Sequence, residues 1–294
     1  MKFVIHVPPW NETSGGDNIL WNLGRILFEK GYDVKMWVEK MSDHESNVIF
    51  RRYTNEIGYG DDTVVIYPEM ILHNPLQATN IVRFVLYGAH LYDYYQPNEK
   101  IYYLAPFCKN NKDFKCLQGW YVSSKIENRN LPRTNESCYM LKKGGRSPIM
   151  RKRFEQNPPP GLNIEALGKH TDIIEVFNTT KYFHCYDPVC FLTVMATLCG
   201  CITIQHPYDD YTREEWEYAS SFGAVGKLKG VAYGIEELPY AEATLHEAPE
   251  QFKEFMKNSD RTIDRFIEDM ESGATTKPCY KFNDSPCAFQ HVWR

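Results

Sequence analysis

The chain opens with a short apolar run, Phe3-Val4-Ile5 and Val7, that Pro8-Pro9 ends, and this predicts a strand over Lys2–Val7. The period then changes. From about Asn18 to Glu29, Ile19, Leu20, Leu23, Ile26 and Leu27 recur on one helical face, and Lys30-Gly31 supply a basic last turn and a glycine stop. Tyr32–Val38 is apolar again and predicts a second strand. Strand, glycine loop, helix, glycine, strand is a βαβ unit, which implies a parallel sheet covered by helices and an α/β fold class.

The alternation continues. Val48–Tyr53, Thr63–Tyr67 and Lys100–Ala105 predict strands, whereas Asn80–Tyr87 fits a helix or a strand equally. Asn110–Asn135 is polar and lacks long periodic runs. Beyond it, strands are expected at Ser137–Leu141, Lys181–Cys185 and Cys201–Gln205. Helices are expected at Thr171–Phe177, Phe191–Leu198, Pro249–Met256 and Thr262–Met270, with a loop from Phe222 onward. The pattern implies two βα-rich domains, 1–125 and 136–272, with a tail, 273–294, packing back on the first.

Composition narrows the function classes. The 294 residues carry a net charge of −5, which argues against a nucleic-acid groove, and no apolar run is long enough to cross a bilayer. The N-terminus reads as a strand and not as a signal peptide, and nine scattered cysteines fit reduced thiols, so a cytoplasmic protein is expected. On that reading the Asn-x-Ser/Thr sequons at Asn11, Asn135, Asn178 and Asn283 are coincidental.

Three strand-end segments are candidates for chemistry. Thr13-Ser14-Gly15-Gly16 lies between the first strand and its helix, where glycines admit a ligand and a helix N-terminus favours anionic or hydroxyl-rich groups. Lys142-Lys143-Gly144-Gly145-Arg146 follows a strand with three cations suited to a diphosphate. His184-Cys185-Tyr186-Asp187-Pro188 leads into a helix carrying Phe191 and Thr193, with Tyr186 or Phe191 placed to stack on a base. A dinucleotide fingerprint, a Walker lysine and an Asp-x-Asp triplet are all missing. For a base acting on a hydroxyl, Asp17 ranks first and His90 second, followed by Glu69, Glu12 and Asp93. The vicinal pairs Asp61-Asp62 and Asp209-Asp210 read as solvated loops.

Two of these blocks carry a family resemblance. Ser14-Gly15-Gly16 leads into Leu20-x-x-Leu23-Gly24-x-x-Leu27-x-x-x-Gly31-Tyr32-Asp33-Val34, and a second block runs Asp187…Ala196-x-x-x-Gly200-Cys201. Both resemble the GT-B glycosyltransferases of the glycogen-synthase-like, family 4 type. Tyr67-Pro68-Glu69…Asn74-Pro75-Leu76-x-Ala78-x-Asn80-x-Val82-Arg83 is similar to a block in a smaller branch that includes enzymes of large algal DNA viruses, the chloroviruses.

The resemblance implies two Rossmann-like domains facing across a cleft and transfer of a hexose or pentose from a UDP- or GDP-linked sugar to a glycan hydroxyl. It implies no cofactor and no metal, because Lys142, Lys143 and Arg146 would neutralise the diphosphate. Tyr186, Asp187, Phe191 and Thr193 would surround the nucleotide, and Ser14, Gly15 and Gly16 the acceptor. Asp187 matches the first of two acidic positions in the second block, while Met195 stands at the other. The alternatives are a non-catalytic nucleotide- or carbohydrate-binding protein on the same scaffold, and an epimerase or NAD-dependent enzyme, which lacks its fingerprint glycines.

Overall fold

A computed structural model describes residues 1–11, 14–38, 49–86, 95, 98–107, 114–167, 171–208, 211–220 and 222–273, with only the backbone described at 143, 146, 223 and 224. The chain forms a mixed α/β protein with two wholly parallel sheets. The first sheet takes β1 (Lys2–Val7), β2 (Asp33–Val38), β3 (Tyr53–Thr54), β4 (Thr63–Pro68), β5 (Asn80–Val85) and β6 (Lys100–Tyr103), in the order β3-β2-β1-β4-β5-β6. The second takes β7 (Asn135–Met140), β8 (Leu162–Asn163), β9 (Thr180–Cys185), β10 (Ile202–Gln205) and β11 (Val231–Tyr233), in the order β11-β10-β9-β7-β8. The helices are α1 (Gly15–Glu29), α2 (Pro148–Gln156), α3 (Ile173–Thr179), α4 (Phe191–Leu198), α5 (Arg213–Ala219), α6 (Leu238–Thr244) and α7 (Ala248–Glu271).

Each sheet belongs to one of two compact units. The first contains Met1–Pro106, Asn110–Tyr121 and the part of α7 from Met256; the second contains Val122–Phe255. Within the first unit, that part of α7 packs on β1 and β6: Phe266 lies 5.9 Å from Phe3 and 4.9 Å from Tyr102, ring to ring. Asp269 accepts from Tyr102 and Lys115, and Thr262 and Ser259 accept from the amides of Gln118 and Trp120.

Local chemistry explains the elements. Ser14 caps α1, accepting from the Asp17 amide, and Gly31 takes the positive φ of 93° that ends the helix region. Gly24 lets α1 approach β2, since a Cβ there would lie 2.6 Å from Met36 Sδ. Asn80–Val85, ambiguous in sequence, is a strand, because both its faces are covered and a buried parallel strand loses its alternation.

The strand expected over Val48–Tyr53 reduces, among the described residues, to Tyr53–Thr54 paired with Met36 and Trp37. The two helices expected at Pro249–Met256 and Thr262–Met270 are one, α7: the polar Ser259 between them is buried and bonded to Gln118 O. The loop expected from Phe222 onward contains β11 and α6, and the basic α2 and the acidic α5 were not expected. Asn178 of the third sequon is fully buried and bonded to Glu127 O, Ile174 O and the Arg129 amide, so it is structural.

The block Tyr67 to Arg83 proves to be a braced loop over one face of the first sheet. Tyr67 Oη donates to Asn74 Oδ1 and accepts from the Leu76 amide, and Asn74 also bonds both backbone groups of Ala78. Arg83 lies between the Tyr67 and Tyr95 rings, donates to Ile71 O and His73 O, and pairs with Glu99, both side chains being wholly buried.

Candidate functional site

In a parallel sheet, ligands gather outside the carboxyl ends of strands where the strand order reverses. Here the reversals lie between β1 and β4 in the first sheet and between β7 and β9 in the second.

At the first reversal, β1 runs into Pro8–Asn11 and α1 begins behind it. Asp17, in the first turn of α1, is largely buried, and desolvation pushes its carboxyl up to about 6 against the opposing hydrogen bond from Ser14. The helix N-terminus favours the charged form and pulls the other way; burial outweighs it. Trp21 follows Asp17 by one turn, so both lie on one face of α1. Trp10, half-buried, stands edge-on to the fully buried Trp21 at 6.1 Å and to the half-buried Tyr121 at 6.4 Å.

Gly15 and Gly16 are partly open, and among the described residues the only neighbour a Cβ on Gly16 would meet is Leu86 Cδ1, at 3.9 Å. Glu69, at the end of β4, is buried and accepts from the Leu86 amide at 3.0 Å, which ties the ends of β4 and β5 together. That makes it a brace. Thr13, Glu12, His90 and Asp93 lie outside the described residues.

At the second reversal, Lys142–Arg146 forms a 3-10 helix directly after β7. Its opening differs from the expected free glycine loop. The Leu141 and Lys142 amides both donate to Glu165 Oε2 at 2.9 Å, so a carboxylate of the chain already occupies them. Gly144 serves packing: a Cβ there would lie 2.1 Å from Tyr186 O. Lys142 is exposed, and the side chains of Lys143 and Arg146 lie outside the described part.

Tyr186, Asp187, Phe191 and Thr193 are all buried. The Tyr186 ring has His206 stacked on it at 3.8 Å and the Phe154 edge at 5.3 Å, so it has no open face for a base. Phe191 is likewise covered. Asp187 Oδ1 accepts from the Val189 amide at 3.1 Å, shaping the turn from β9 into α4. Met195, at the other acidic position of the resemblance, lies wholly in the helix–sheet core.

Sequence reasoning singled out the segment that begins at His184 but gave no role to three groups here. His184 Nδ1 and His206 Nε2 are 3.1 Å apart, one imidazole donating to the other across adjacent strand ends. Burial lowers both rings, and His184 and Arg153 help push His206 down to about 3, so the pair is neutral at pH 7. The available signal was a histidine near the end of each of two neighbouring strands, His184 within β9 and His206 just after β10. The third group, Glu165, had no local signal.

No group of three or more His, Cys, Asp or Glu is placed to hold a metal among the described residues, and no described helix is long and apolar enough to cross a membrane. The chain matches no protein-family model and no curated protein. Among solved structures, the crystal structure of a glycosyltransferase from Rickettsia africae ESF-5 superposes with a TM-score of 0.40 at 10% identity, covering 94% of each chain. At that score the likeness adds nothing to the α/β architecture already described.

Proposed function

We propose that the protein is a glycosyltransferase that moves a sugar from a UDP- or GDP-linked donor to a glycan hydroxyl. What supports this reading is that each unit, taken by itself, has a strand-order reversal with suitable groups, the first a desolvated carboxylate and the second a cation-bearing turn. In this reading the second unit binds the donor, with Lys142, Lys143 and Arg146 neutralising the diphosphate. Tyr186, Asp187, Phe191 and Thr193 act from beneath, by holding the strand-end turns in shape. The first unit binds the acceptor at Ser14, Gly15 and Gly16.

Asp17 takes the proton of the acceptor hydroxyl as the new C1–O bond forms. The bond from C1 to the phosphate oxygen breaks, and the nucleoside diphosphate leaves with the electron pair. Cations at the leaving group stabilise that charge where it develops. The reading includes catalysis without a required divalent metal.

Incubation with a panel of nucleotide sugars and glycan acceptors tests it: diphosphate release that depends on acceptor and persists in excess chelator is expected. Calorimetry of Lys142→Ala/Lys143→Ala should show donor affinity weakened about 10- to 150-fold per lost contact. Release that requires Mn²⁺ would refute metal independence, and unchanged affinity would refute the donor assignment. A second reading, nucleotide binding without catalysis, draws on Met195 and the covered Tyr186 ring. Donor binding without any turnover would favour it.

A further inference from the structure

Many basic side chains among the described residues are neutralised where they stand, as in Lys2–Asp62, Lys30–Asp264, Lys115–Asp269, Arg129–Glu175 and Lys229–Glu247. Residues 142–153 break that habit. They hold six of the 33 basic residues and no acidic one. Lys142, Arg151, Lys152 and Arg153 are exposed, and none of the four has an ion pair among the described residues.

The two arginines are aimed. Arg151 donates through Nε to Gly145 O at 2.8 Å, which lays its guanidinium over the turn after β7. Arg153 reaches the other way and donates to Pro207 O, beyond the end of β10, close enough to His206 to depress that ring. Between them, at the end of β9, lies Tyr186 with Phe154 against it. The nearby carboxylates have other work, Glu165 on two amides and Asp187 on the Val189 amide.

Among the described residues, cations without an ion-pair partner therefore stand at both ends of a line from β7 to β10, two strand spacings or about 10 Å. That is farther than the adjacent phosphates of one diphosphate reach. A donor held by its diphosphate at Lys142 needs another anionic group to meet Arg153, and the sugar ring is the part that extends there.

We infer that the donor is a nucleoside diphosphate-hexuronate, its sugar carboxylate paired with Arg153. The inference rests on the donor-binding reading above. A guanidinium offers a carboxylate a two-pronged contact that a neutral hydroxymethyl group does not use.

Calorimetry with UDP-glucuronate against UDP-glucose, and GDP-mannuronate against GDP-mannose, tests it on the full chain. In one pair the uronate should bind about 10- to 150-fold more tightly, the range for one charge-assisted contact. Arg153→Gln should bring that ratio near one, and Arg153→Lys should keep part of it. Equal Kd values for acid and neutral sugar, or a preference that survives Arg153→Gln, would overturn the inference and leave donor binding standing. Binding of none of the four would overturn the donor reading itself. Should Arg153→Gln fail to fold, the wild-type ratio and Arg153→Lys still decide.

Discussion

A Cβ added to Gly144 would lie 2.1 Å from the carbonyl oxygen of Tyr186, whereas one added to Gly145 would meet only side-chain atoms of Leu141, at 3.2 and 3.3 Å. The first contact sets the new Cβ against a backbone carbonyl, which has no rotamer to yield. Gly144→Ala should therefore destabilise the second unit by about 1–3 kcal/mol, while Gly145→Ala changes it by less than about 1 kcal/mol. Denaturant titration of both variants, followed by nucleotide calorimetry, measures the difference. Equal behaviour would show that the turn is not held by this contact.

Asp17 gives a pH signature. Its carboxyl sits near 6, so turnover should rise with pH through about 6 as the base form appears, and Asp17→Asn should lose that limb. The rate loss expected for a general base is about 10²–10⁴, with donor affinity nearly intact. Stability runs the other way. Between the ordinary value of 3.8 and about 6 the folded state holds the proton more tightly, so this group's contribution falls as pH rises through that window. Full turnover in Asp17→Asn would place the base elsewhere.

The His184–His206 pair is acid-sensitive. Its folded-state pKa values are depressed, so the contribution is complete above the ordinary histidine value and is lost as pH falls. For His206, displaced from 6.5 to about 3, the loss by pH 5 is about 2 kcal/mol. Melting the wild type and His206→Gln across pH 5–7.5 should show a steeper decline in the wild type. Parallel curves would mean that the ring is not held neutral.

Arg83 and Glu99 form a pair sealed from solvent, with Nε to Oε2 at 2.5 Å. Glu99→Gln leaves a buried guanidinium without its counter-charge and should cost about 3–5 kcal/mol in the first unit. Arg83→Met/Glu99→Leu should not recover it, because Ile71 O and His73 O would lose their donor. Recovery in the double variant, read by denaturant midpoint, would show that the carbonyl bonds matter less than the charge.

What was legible in the sequence follows from range. β1, α1 and β2 could be read because Ile19, Leu23 and Ile26 keep helical spacing and Gly31 marks the stop, all within one local window. α2 was hidden because Arg151-Lys152-Arg153 outweighs the buried Met150 and half-buried Phe154 that face inward. α7 was split because Ser259 looks like a break until its partner Gln118, far away in sequence, is known.

The glycine and cation segments follow β1 and β7, the strands at the two reversals. The environment of Tyr186 was not legible, since the His206 ring that covers it comes from another strand. Glu165 is the same case: its role on the Leu141 and Lys142 amides exists only once β7 and the turn after β8 meet.

The membership of α7 has a consequence for biosynthesis. Phe266 and Asp269, which cover β1 and anchor Tyr102, are among the last described residues to leave the ribosome, although the strands they cover are among the first. The first unit therefore waits, with Phe3 and Tyr102 lacking the Phe266 ring that covers them, while the whole second unit is made. A nascent chain halted before α7 leaves those two rings without their cover, so the unit that is begun first is completed last.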